Sequence, residues 1–250
     1  MFKKLLQISV LITAGLLIGF GCYYKYAQKN TRNPIEYAYN YLAGQEQNAW
    51  NHINPFGIDK KTLESKAGEI EHKHIKAQED LAPRKKHVSE NTKKLVLEIL
   101  ESSGIDTKNI KILATEMECA AAASETVVFI NEPLLEKYSQ DEQLFIIAHE
   151  AQHMVYKDYL HNCALKEVLQ DKNISYQCSN INDPANCYSR FCELRADVNA
   201  ALKGKRFTDG FLKFAQKTFD AHESNPGTTH PSDKDRLALA QEIYSAMQAV

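Results

Sequence analysis

His149-Glu150-Ala151-Gln152-His153 places two imidazoles four residues apart with a carboxylate between them. On an α-helix of about 3.6 residues per turn, positions i and i+4 project from nearly the same face, so both ring nitrogens can reach one ion. This is the H-E-x-x-H pattern of a zinc site, with His149 and His153 as ligands. Glu150 lies further round the helix, where it suits holding and deprotonating a water rather than binding the metal. Leu144, Phe145, Ile146, Ile147 and Ala148 lead in, Met154, Val155 and Tyr156 follow, and no proline interrupts the run. These flanks predict a buried, central helix. The competing reading is a core helix whose two histidines only hydrogen-bond to backbone.

A zinc centre that does chemistry needs a third protein ligand and one open position. Glu193 and Asp197, in the segment Arg190-Phe191-Cys192-Glu193-Leu194-Arg195-Ala196-Asp197, are again i and i+4. On a helix both carboxylates face one way, so Glu193 can ligate while Asp197 accepts a proton from the far nitrogen of a ligand histidine. The alternative is a solvated acidic face interleaved with Arg190 and Arg195.

With these residues in hand, the chain resembles the HtpX-like and CAAX-prenyl-protease group of gluzincin zinc metallopeptidases, nearest its single-anchor, Oma-like branch. Several segments carry the resemblance in order. The run Glu125 to Leu135 looks like the family's strand and short connecting helix. Ser139-Gln140-Asp141-Glu142 opens the zinc helix. Glu193-Leu194-Arg195-Ala196-Asp197 is similar to the glutamate-x-x-alanine-aspartate element, and Thr228-Thr229-His230-Pro231-Ser232 followed by Arg236 is similar to the C-terminal His-Pro segment. The resemblance covers roughly the last 140 residues. It departs at Cys119-Ala120-Ala121-Ala122-Ala123, where the family has an Asn-Ala-Phe-Ala-like edge strand beside the cleft, and that leaves substrate preference open.

The chain has 250 residues, 30 Lys+Arg against 32 Asp+Glu and a formal net charge of -2, so nothing points to nucleic acid as a partner. Length and pattern divide it into residues 1–30 as a signal anchor or signal peptide, 31–105 as a helical leader, and 106–250 as a zinc metallopeptidase domain. Leu5 to Tyr24 is an apolar run of about twenty residues, long enough to cross a ~30 Å hydrocarbon core. A retained anchor is the first expectation, with cleavage near Gly19-Phe20-Gly21 as the alternative. Lysines on both sides leave orientation open.

Of the 6 cysteines, Cys163, Cys178, Cys187 and Cys192 fall between the two ligand-bearing helices without the C-x-x-C spacing of a structural zinc site. Two disulfides across this connection are expected, which implies an oxidising compartment such as the bacterial periplasm. Four buried thiols are the alternative.

Helices are predicted over Pro34 to Trp50, Lys60 to Leu81, His87 to Ser103, Phe207 to Ala221 and Ser232 to Ala249. Strands are predicted at Lys111 to Thr115 and Thr126 to Ile130. The fold class is α+β, a zincin-like domain, mostly helical with a small, mostly antiparallel sheet. The resemblance implies one Zn2+ per chain, held by His149, His153 and Glu193, with Glu150 as catalytic base and His230 adding a hydrogen bond to the oxyanion or approaching the metal; the alternative for His230 is a loop histidine that caps the last helix. Arg236 is expected to pair with Asp197. The implied activity is that of a metalloendopeptidase acting on protein or peptide substrates, anchored at a membrane by its N-terminal segment and serving envelope or membrane-protein quality control. A non-catalytic binding or assembly factor on the same fold is the alternative.

Overall fold

The computed structural model describes residues 34–80, 88–175, 177, 180–222 and 229–248. Nine helices and three strands are found among them, in the order α1 (Pro34–Ile53), α2 (Lys60–Asp80), α3 (Glu90–Ser102), β1 (Lys111–Ala114), β2 (Ala121–Ala123), β3 (Val127–Ile130), α4 (Glu132–Leu135), α5 (Gln140–Tyr156), α6 (Asp158–Asp171), α7 (Pro184–Ala201), α8 (Lys205–His222) and α9 (Asp233–Gln248). The α+β class holds. The predicted membrane span, Leu5 to Tyr24, lies outside the described residues, and among those described no helix is long and apolar enough to cross a membrane.

Two apolar cores organise the chain. The larger surrounds α5, which packs on α7, α8, α3 and the inner strand face; Phe145, Ile147, Ala148, Val198, Phe211 and Ile243 are fully or almost fully buried there. The smaller joins α1 and α2 to α6 and α7 through Ile53, Leu63, Ala67, Leu160, Leu165 and Phe191. The leader is thus divided in its allegiance: α1 and α2 cover α7 and α6, whereas α3 contributes Val96, Ile99 and Leu100 to the α5 core.

The sheet is mixed rather than mostly antiparallel. Its order is β1-β3-β2, with β1 parallel to β3 (Lys111 opposite Val127) and β2 antiparallel to β3 (Ala121 opposite Ile130). The chain reverses between β1 and β2 and again between β2 and β3, and two reversals restore the first direction. A hairpin supplies the antiparallel half; residues 115–120 carry the chain across to the opposite edge.

The connection expected to be a disulfide-tied loop is largely helix. Leu160, Ala164, Leu165, Val168 and Leu169 form one buried stripe along α6, a 3.6-residue periodicity that the leader covers. Cys163, on that helix, and Cys187 and Cys192, on α7, are free thiols, while Cys178 lies outside the described residues. The expected pair of disulfides needs all four, so it is not formed. Five residues along α7 separate Cys187 from Cys192 by about 7.5 Å and turn them to different faces, beyond what a disulfide spans.

Candidate active site

Helix α5 begins with a capping box: the Ser139 N–H donates to Glu142 Oε2 at 2.8 Å and the Glu142 N–H to Ser139 Oγ at 3.5 Å. It ends at Lys157, a non-glycine residue in the left-handed region (φ 52°), whose Nζ lies 2.9 Å from Glu71 of α2. That turn matters because α6 starts at once. In a continuous helix, residues five apart point in different directions; the left-handed turn instead brings Asp158 back to His153, with Oδ2 2.9 Å from Nδ1.

His149, His153 and Glu193 converge. The two Nε2 atoms are 3.0 Å apart, and Glu193 oxygens lie 3.3 Å from His149 Nε2 and 3.5 Å from His153 Nε2. Among the described residues this is the group whose ligand atoms all fall within 4.8 Å of one another. Behind each imidazole stands a carboxylate: Asp197 Oδ1 is 2.8 Å from His149 Nδ1, approached off the ring N–H axis, and Asp158 serves His153. A proton held at each Nδ1 leaves each Nε2 lone pair facing the common point. Two imidazole nitrogens and one carboxylate make a donor set that fits a catalytic zinc with a position to spare.

Each supporting carboxylate is itself held by an arginine. Arg236 of α9 donates to Asp197 through Nε at 2.8 Å and Nη2 at 2.6 Å, forming the pair expected from sequence. Arg195 donates to Asp158 and lies against two rings, 4.1 Å from the Tyr156 centroid and 4.9 Å from that of Phe191. Asp158 and the role of Arg195 escape a reading of the sequence alone. The signal for Asp158 is an acid five residues past His153, legible only once the chain is known to turn at Lys157. Arg195 reads as a solvated helix residue, and only the tertiary fold puts aromatic rings beside it.

The charges within the cluster set its protonation. At His149 burial disfavours the imidazolium, but Asp197 and Glu193 outweigh it and push the ring up to about 10. His153 is raised against burial by Asp158 and Glu193. Burial also opposes ionisation of Glu193, yet His149, His153 and His230 hold its carboxyl well below the usual range. Glu150 moves the other way: burial pushes its carboxyl up, outweighing the two histidines. It faces β2, where the Ala123 N–H donates to it. A carboxyl raised toward neutrality and set beside a metal-ligand cluster suits proton transfer.

His230 stands at the mouth, with its Nε2 3.6 Å from Glu193 Oε1 and its side chain 57 % exposed. Ser232, not His230, caps α9, accepting from the Asp235 N–H at 3.1 Å. These groups line a cleft of about 560 Å³ between β2 and the helices α5, α6, α7 and α8, which also contains the exposed thiol of Cys119.

Residues 86–176 match the model of Peptidase family M48. The matched region holds His149, Glu150, His153 and Asp158 and stops short of Glu193, Asp197 and His230. Comparison with curated proteins and with solved structures gives no match.

Proposed function

We propose that the chain is a zinc metalloendopeptidase that hydrolyses peptide bonds in proteins. The observation that carries this reading is the meeting of His149, His153 and Glu193 at one point, with a carboxylate at each Nδ1 and Glu150 alongside. Zinc, when bound, supplies a Lewis acid that acidifies water and polarises a peptide carbonyl. Glu150 takes the proton of the attacking water and passes it to the leaving amine. His230 reaches the same space from the opposite rim and donates a hydrogen bond to the oxygen on which negative charge develops. Asp197 and Asp158 keep the two ligand rings in the tautomer that presents Nε2.

The edge strand positions the substrate. Hydrogen bonds Ser124 N–H to Val127 O and Asn131 N–H to Ala120 O, both 2.9 Å, show that Ala120 and Ser124 turn their backbone groups toward β3. By alternation Ala121 and Ala123 turn theirs to the other edge, beside α5, where the Ala123 N–H meets Glu150. An extended chain laid on this edge presents a peptide carbonyl to the histidine pair.

Unfolded or damaged envelope proteins are the substrates we assign, at a membrane surface facing the bacterial periplasm. Leu5 to Tyr24 supports this location, and the free thiols of Cys163, Cys187 and Cys192 withdraw the cysteine argument for it. Zinc content and digestion of an unfolded model protein test the activity in wild type and Glu150→Gln. Both proteins are expected to hold one zinc per chain while only wild type cuts. Cutting by Glu150→Gln at the wild-type rate, or cutting that survives zinc removal, would reject the mechanism.

A further inference from the structure

Helix α6 begins without a cap of its own. Its N-cap residue is Lys157, whose side chain makes no capping hydrogen bond, because an ammonium group carries donors and no acceptor. The His161 N–H donates to Lys157 O at 3.0 Å and starts the helical ladder. The N–H groups of Asp158, Tyr159 and Leu160 come before it, so any acceptor for them comes from outside the helix. Glu125 supplies one. It stands in the turn between β2 and β3, and its Oε1 accepts from the Leu160 N–H at 3.0 Å. Leu160 is the third residue of α6, where the side chain of an N-cap serine or aspartate would accept. A carboxylate there also meets the positive end of the helix dipole.

This cap fixes the place of Asp158. Asp158 opens α6 directly after the left-handed Lys157 (φ 52°) and lies 2.9 Å from His153 Nδ1. A lysine in that conformation is strained, so contacts from other elements have to hold the turn. Two do so. Glu71 of α2 pairs with Lys157 Nζ at 2.9 Å, but that side chain is 51 % exposed, and exposed ion pairs contribute little. Glu125 is half-buried, and the Leu160 it holds is fully packed in the smaller core. The same turn reaches the other side of the site, since Ala123, two residues before Glu125, donates its N–H to Glu150.

We infer that Glu125 is a positioning residue for the zinc site: by capping α6 it holds Asp158 behind His153, and it ties that corner to the strand facing Glu150. The inference rests on His153 being a zinc ligand, as the peptidase reading has it. Burial pushes the Glu125 carboxyl up, against the pull of its own N–H and that of Leu160. The cap therefore uses an acceptor oxygen at the reach of a glutamate side chain, and its charge is secondary.

Zinc affinity of the intact chain, measured against a competing chelator, tests this. Glu125→Gln keeps an acceptor at the same reach and should bind zinc as wild type does. Glu125→Asp keeps the charge but is one methylene shorter, and should weaken binding about 10-fold, the low end of losses behind a ligand histidine. A double-mutant cycle separates positioning from general damage. With Asp158→Ala already in place, the group being positioned is gone, and Glu125→Asp should then cost less than about 2-fold. Wild-type affinity in Glu125→Asp, a loss in Glu125→Gln equal to that in Glu125→Asp, or an undiminished loss in the Asp158→Ala background each overturns the inference while leaving the peptidase reading intact. Absence of zinc uptake by wild type would reject that reading and the inference with it.

Discussion

His149 and His153 sit four residues apart on one helix, yet the structure supports them differently. His149 is backed by Asp197 from α7 and Arg236 from α9, a pair sealed in the larger core. His153 is backed by Asp158, only five residues away, and by Arg195, whose side chain is 17 % exposed against Tyr156 and Phe191. One support depends on three helices meeting; the other is local, built by a left-handed turn and faced by the leader's smaller core. The deep support is costly to break, because Asp197 is fully buried and would be left without its partner. The shallow one is adjustable.

Arg236→Ala should test this contrast most severely. It leaves Asp197 as an uncompensated buried charge, and urea unfolding is expected to show a loss of about 3–5 kcal/mol. Arg195→Ala removes an ion pair whose arginine is partly exposed, together with its ring contacts, while His153 still faces Asp158, for an expected loss of about 1–2 kcal/mol. Equal losses would erase the distinction between the supports.

Gly210→Ala should also injure the deep side first. A Cβ on Gly210 of α8 would stand 2.0 Å from the Asp141 carbonyl oxygen on α5, and backbone cannot yield as a flexible side chain does. Forcing the two helices apart is expected to cost about 1–3 kcal/mol in thermal or denaturant unfolding. An unchanged midpoint would show that α5 and α8 are not in close contact at Gly210.

Metal binding sharpens the comparison further. Asp158→Asn should weaken zinc binding about 10- to 100-fold in a competing-chelator titration, as losses behind a ligand histidine do. Affinity equal to wild type would remove Asp158 from the support of His153.

A further test is one of pH. His149 is raised from 6.5 to about 10, so its protonated form stabilises the metal-free fold fully below pH 6.5, and that contribution is lost as pH rises through about 10. Zinc must displace the same proton. The melting temperature of zinc-stripped protein should therefore fall from pH 6.5 toward 10 while the increment that zinc restores grows. A zinc increment constant across that range would mean that His149 binds no proton in the stripped protein.

Much of the site is legible in the amino-acid sequence. The spacing of His149 and His153 and of Glu193 and Asp197 is helix geometry, and helix geometry is local, so the face each pair shares follows from periodicity. The helix that opens at Ser139 is likewise readable from its capping sequence. Helix ends in the leader differ by one to three residues from those expected, as end fraying allows. The α6 helix is obscured when its connection is read through its cysteines, although Leu160, Ala164, Leu165, Val168 and Leu169 carry helical periodicity.

What sequence alone determined about this protein is two histidines and two carboxylates at helical spacing, Glu150 between the histidines, and an α+β frame. Only the tertiary structure decided that β1 lies parallel to β3, that Cys163, Cys187 and Cys192 stand apart as thiols, and that Asp158 and Arg195 support His153. The last of these depends on one residue, Lys157, taking a left-handed conformation, and the others on residues far apart in the chain becoming neighbours. Periodicity reports which face of an element is apolar; it carries no information about which other element will cover that face.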